Sequence, residues 1–316
     1  MAVRSGLRKP RALQKGDWVG IAAPSSPFNP GAFRKGVSFL ESAGFRVRFL
    51  PGLVARRRGF LAGEDRERAE ELEALFEDRE VKAVFSARGG YGAQRLLDRL
   101  DPKVFQANPK LFVGYSDVTC LLSFLVDVCR LVCVHGPLVT EMGCLPLRTR
   151  RHLLRCLTKA EPLGPLPLER PRWLHRGRVR APVVGGNLSV IASGLGTPWE
   201  LETAGRILFL EDRGEKPYRV DRMLVQLKQA GKLGAVAGLV FGRLDGAETG
   251  NEAGREKKLM REVVFDHAAG LGVPVLWGAR AGHGGAHFAL PLGVLAELDS
   301  RKGCFSFLEP AVEEPG

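Results

Sequence analysis

Short apolar runs alternate with amphipathic helical segments between residues 17 and 134, and this alternation restricts the fold more than any other feature of the chain. Residues 17–23, 45–50, 81–86, 111–114 and 131–134 read as strands. Residues 33–43, 64–76, 91–97 and 117–128 read as helices, the second of them heavily charged with Leu72, Leu75 and Phe76 along one side. Strands and helices joined by short connections predict an α/β, doubly wound parallel sheet. Ligand sites in such sheets form at the carboxyl ends of the strands.

The second half is less regular. A Gly185-Gly186-Asn187 turn precedes an expected strand at 206–210, a helix at 218–230, a strand at 236–241, a helix at 256–269 and a strand at 273–277. Residues 294–308 read as a hairpin turning at Ser300-Arg301-Lys302-Gly303. Residues 162–180 are rich in Pro and Arg and show no period, which predicts a connecting segment. The 316 residues suit two domains. The expected division is 1–145, a linker at 146–180, and 181–316.

The formal net charge of +12 raises the question of nucleic acid, but the charge is dispersed. Only 13 of the 47 basic residues are Lys, and Arg recurs at 56–58, 148–151 and 170–180 rather than in one stripe. A nucleic-acid footprint would gather the charge on one element, so none is expected. A positive field would still favour an anionic small substrate. The most apolar stretch, 121–139, is broken by Asp127, Arg130 and His135, so no membrane span is expected. The basic start of the chain lacks the apolar core of a signal peptide, which points to a cytoplasmic protein. Cys120, Cys129, Cys133, Cys144, Cys156 and Cys304 are irregularly spaced and are expected to be reduced thiols. Cys129, Cys133 and His135 lack a fourth ligand, so no metal is expected.

Four segments carry possible chemistry. In Gly114-Tyr115-Ser116-Asp117, a strand ends and a helix starts at once, the geometry of a nucleophile elbow. Val118 stands where the common Gly-x-Ser-x-Gly pattern has its second glycine, and helix capping by Ser116 or Asp117 is the plain alternative. Ser86-Ala87-Arg88-Gly89-Gly90-Tyr91-Gly92 also follows an apolar strand, either as a turn whose free N–H groups bind an anion or as a tight bend. An apolar run ending in Glu211-Asp212 places carboxylates where a catalytic acid would sit, although charges leading into a helix look the same. His283 lies among glycines, poorly placed for a core role.

Taken in order, the GYSD, LFLED, GE, PYR and DRML segments and the GH followed by LPLG closely resemble the LD-carboxypeptidases, peptidase family S66. The resemblance spans about 16–298 and includes the RGGYG turn, the HGP at 135–137 and the GGNL at 185–188. It implies a Rossmann-like N-terminal domain, a smaller mixed α/β C-terminal domain, a site between them and a homodimer. It further implies Ser116 as nucleophile, His283 as general base, Glu211 as its orienting carboxylate, and the backbone N–H groups of Gly89 and Asp117 as the oxyanion hole. Arg88 is a candidate for the substrate carboxylate, and His287 stands near a position where the family often has Asn. A serine hydroxyl needs such a base, and the base such a carboxylate, while no metal or organic cofactor is required. The expected substrate is a murein peptide ending in D-alanine. A peptidyl-nucleotide antibiotic is the alternative within the family, with Trp173 as the aromatic that could stack a base, and a non-enzymatic binding protein the alternative outside it.

Overall fold

The structure is a computed structural model that describes residues 6–246, 251–284 and 287–315. Strands β1 (Trp18–Ala22), β2 (Arg46–Arg48), β3 (Val81–Ser86), β4 (Leu111–Gly114) and β5 (Cys133–His135) form a parallel sheet in the order β5-β4-β3-β1-β2. Every residue of β4 is buried, and of β3 only Lys82 is exposed. Helices cover both faces of such a strand, which is why it reads as a continuous apolar run. The helix Asp65–Glu77 buries Ala69, Leu72, Leu75 and Phe76 at helical spacing. Its first turn is closed by the Glu67 carboxylate, which accepts the Glu64 backbone N–H at 2.9 Å.

The second sheet contains β6 (Gly164–Pro165), β7 (Leu168–His175), β8 (Arg178–Asn187), β9 (Ile207–Arg213), β10 (Gly238–Asp245), β11 (Val275–Ala279), β13 (Leu295–Asp299) and β14 (Cys304–Phe307). Its order is β6-β14-β13-β8-β9-β10-β11-β7, parallel from β8 to β11 and antiparallel outside them. The expected hairpin at 294–308 is present as β13 and β14.

Two features depart from the sequence reading. The segment at 146–180 is not irregular: it holds the helix Leu147–Thr158, and its β6 and β7 form opposite edges of the second sheet. An edge strand can carry Pro171 and a run of exposed arginines, because one side of it pairs with nothing, and this hides it from periodicity. The second departure is β12 (Leu290–Leu292), which leaves its sequence neighbours and pairs antiparallel with β5 of the first sheet, Leu290 opposite His135. Residues between β11 and β12 therefore cross from one sheet to the other, and His283 lies on that crossing.

Candidate active site

The first wall of the site is the carboxyl end of β4. Tyr115 is extended and Ser116 turns to φ 66°, a left-handed conformation that a side chain rarely adopts. From Leu111 to Val126, Ser116 is the only residue that is not buried. A Cβ on Gly89 would stand 2.9 Å from the Ser116 Cβ and 3.1 Å from its Oγ, so only glycine lets the two turns meet. The same position lies 3.5 Å from the Asp117 backbone nitrogen. The Asp117 carboxylate is buried and accepts the Ala93 N–H at 2.8 Å, tying the elbow to the Arg88–Gly92 turn. Burial pushes that carboxyl up from its ordinary value. Arg88 is exposed and its guanidinium donates to the Pro27 carbonyl at 2.5 Å.

The second wall is the carboxyl end of β9. Glu211 is fully buried, and its Oε2 accepts two hydrogen bonds from one residue: His283 Nδ1–H at 2.7 Å and the His283 backbone N–H at 3.0 Å. Gly282, at φ 92°, leaves the room for this, since a Cβ there would come within 2.4 Å of the same oxygen. Burial works to raise the Glu211 carboxyl, but the hydrogen bond and charge of His283 hold it below its ordinary value. Burial works to discharge the imidazole, and the Glu211 carboxylate overcomes it, so His283 sits above the usual histidine value. Each shift has the sign that the partner's charge imposes.

Asp212 faces elsewhere. It accepts the Ser189 N–H at 2.8 Å and the Asn187 amide at 3.1 Å, and burial raises its pKa to about 6. Asn187 reaches towards Glu211 Oε1 as well, at 3.4 Å, and its backbone N–H donates to Thr119 Oγ1 at 3.0 Å, joining β8 to the helix that follows the elbow.

Between the two walls lies Tyr115. Its ring centroid is 4.8 Å from that of His283 and 4.2 Å from that of His287, and its hydroxyl donates to Glu141 at 2.7 Å. Behind it His287 Nε2 and His135 Nδ1 are 3.2 Å apart, both rings buried, with the other nitrogen of each unpartnered among the described residues. The structure thus joins Glu211 to His283 directly and sets His283 against the residue preceding Ser116. The Ser116 hydroxyl itself makes no hydrogen bond among the described residues. Sequence reasoning missed Tyr115, Glu141 and Asn187 as parts of this site. Asn187 alone left a signal, a polar residue between paired glycines and an apolar helix.

The fold is a two-sheet α/β architecture with a buried carboxylate–histidine pair, and the chain's relatives make it a peptidase hydrolase. Residues 19–136 match the family model of the LD-carboxypeptidase N-terminal domain, and residues 180–298 that of the LD-carboxypeptidase C-terminal domain. The chain belongs to the LD-carboxypeptidase family. It is 38% identical to a probable murein peptide carboxypeptidase of Bacillus subtilis over 92% of each chain. Its fold matches that of a muramoyltetrapeptide carboxypeptidase from Oxalobacter formigenes with a TM-score of 0.80 and 29% identity, over 95% of this chain and 100% of the other. It also matches the microcin C7 self immunity protein MccF in complex with glutamyl sulfamoyl guanosine, with a TM-score of 0.86 and 25% identity, over 96% of this chain and 99% of the other.

Proposed function

We propose that this chain is a serine-type carboxypeptidase that cleaves the bond between an L-centre and a terminal D-alanine in murein peptides. The observation that carries the reading is the buried Glu211–His283 pair, set against the residue that precedes a strained, strand-end serine. With Nδ1–H given to Glu211, the Nε2 of His283 is left unprotonated to act as base. It takes the Ser116 proton as Oγ attacks the carbonyl, and the backbone N–H groups of Gly89 and Asp117 receive the developing oxyanion. His283 then returns the proton to the leaving amine, D-alanine departs, and water releases the acyl enzyme by the same route. Asp117 serves through its backbone, since its carboxylate is engaged by the Ala93 N–H.

The relatives named for murein peptides favour this substrate over a peptidyl nucleotide. Trp173, the aromatic expected to stack a base, instead packs against the core from β7. The test is incubation with a muramyl tetrapeptide and measurement of released D-alanine. Release from that peptide, abolished by Ser116→Ala, is the expected result. Cleavage of an aminoacyl sulfamoyl nucleoside with no D-alanine release would transfer the chain to the second reading.

A further inference from the structure

Ser116 follows a strand of the first sheet and His283 lies on the crossing from the second, and among the described residues no hydrogen bond joins them. Proton transfer between two such groups needs the base held to within about 0.5 Å. Glu211 sets where the Nδ1 of His283 points, but one bond to the ring does not set the roll of the ring about it. Tyr115 is placed to do so. It immediately precedes the serine, and its ring centroid lies 4.8 Å from that of His283 at an interplanar angle of 58°, within the range of packed aromatic pairs.

The Tyr115 ring is itself held. His287 and His135 stand at centroid distances of 4.2 and 5.5 Å from it. Its hydroxyl donates to Glu141 Oε1 at 2.7 Å. Glu141 is anchored in turn, because its Oε2 accepts the Leu138 N–H at 3.2 Å. The helix Val139–Met142 that carries it is tied to the end of β3, where the Thr140 N–H donates to the Ala87 carbonyl at 3.1 Å. A Cβ at Gly36 would run into the Val139 carbonyl, so the helix Pro30–Ser42 meets this short helix backbone to backbone. A phenylalanine at 115 would fill the same volume without a carboxylate buried beside it. What the hydroxyl adds is direction.

We propose that Tyr115 and Glu141 are positioning residues: Glu141 fixes the Tyr115 ring through its hydroxyl, and that ring sets the roll at which the His283 imidazole faces Ser116. The inference rests on the peptidase reading and deepens it. Neither side chain gives or takes a proton in the reaction; the pair acts through His283. The serine shares the anchor, since Tyr115 runs extended into the turn at Ser116.

Kinetics on a muramyl tetrapeptide, with NMR of the histidine rings, test this. Tyr115→Phe keeps the ring and removes its anchor, and is expected to lower kcat about ten- to a hundredfold with KM nearly unchanged. Glu141→Leu should cost the same, and the double variant no more than either, because the two act as one unit. Glu141→Gln still offers an oxygen to the hydroxyl and should retain most of the turnover. The Tyr115 ring current displaces the His283 ring protons, so their resonances are expected to shift in Tyr115→Phe. Those of His267, on the helix Asn251–Ala268, should stay. Where Glu141→Leu fails to fold, Tyr115→Phe and Glu141→Gln carry the comparison. Full kcat in Tyr115→Phe, losses that multiply in the double variant, or a rise in KM with kcat unchanged overturns the assignment. So does a loss in Glu141→Gln as deep as that in Tyr115→Phe. A parent that releases no D-alanine, but whose His283 resonances shift in Tyr115→Phe, would sink the hydrolase and support the positioning of His283. Release of D-alanine by the parent and equally by Tyr115→Phe would do the reverse.

Discussion

One oxygen of Glu211 holds both the ring and the backbone of His283, at 2.7 and 3.0 Å, across 72 positions of sequence. A carboxylate bound this way sets the tautomer, the ring direction and the loop together. Glu211→Gln is expected to lower turnover by about 10³–10⁴, as when a triad orienter loses its charge. Asp212→Asn should cost far less in turnover, because Asp212 bonds Asn187 and Ser189 rather than the base. Steady-state kinetics of the two variants decide the matter, and comparable losses would contradict the geometry.

Ser116, the proposed nucleophile, also holds a strained backbone conformation. Ser116→Ala is expected to reduce hydrolysis by about 10⁴–10⁶. Ser116→Gly should be equally inactive but more stable than Ser116→Ala by about 1 kcal/mol, since glycine adopts φ 66° without a Cβ penalty. Equal denaturation midpoints for the two would show that the elbow is unstrained.

The pH profile follows from the pair. The proposed mechanism needs neutral His283, and its pKa is held above the usual histidine value, against burial, by the Glu211 carboxylate. Activity should therefore fall as pH drops, with a midpoint above about 6.5. Removing the carboxylate charge in Glu211→Gln should move the midpoint of the residual activity to lower pH. A midpoint in the parent well below 6 would exclude His283 as the base.

Acid stability reports on the second histidine pair. Burial lowers His135 to about 4 and His287 well below its ordinary value, so both are neutral in the folded state. Between about 6.5 and 4 the unfolded chain binds protons that the folded chain refuses, so stability falls with pH by about 1.4 kcal/mol per unit for each group. His283, shifted upward, opposes this in part by taking its proton first in the folded state. His287→Gln should thus lose less stability than the parent between pH 7 and pH 5 in urea unfolding. An unchanged loss would mean that His287 is solvated or already protonated.

By itself the sequence determined what is local. Apolar runs without alternation specified strands covered on both faces, the charged segment at 64–76 specified an amphipathic helix, and a strand running straight into a helix marked the turn at Ser116. Motif order carried the family. Strand parity could not choose between Glu211 and Asp212, because β9 is apolar on both faces, and only the family resemblance pointed to Glu211. Tertiary structure made that choice by bringing Gly282 and His283 against one acid and Asn187 and Ser189 against the other. Tertiary structure also split the arginine-rich segment at 170–180 between the edge strand β7 and the start of the interior strand β8. It stitched the His283 crossing to the first sheet through β12, and buried His287 beside His135, 152 positions away. Periodicity reports only which face of an element is dry; which distant partner meets that face depends on pairing and packing that no local pattern encodes.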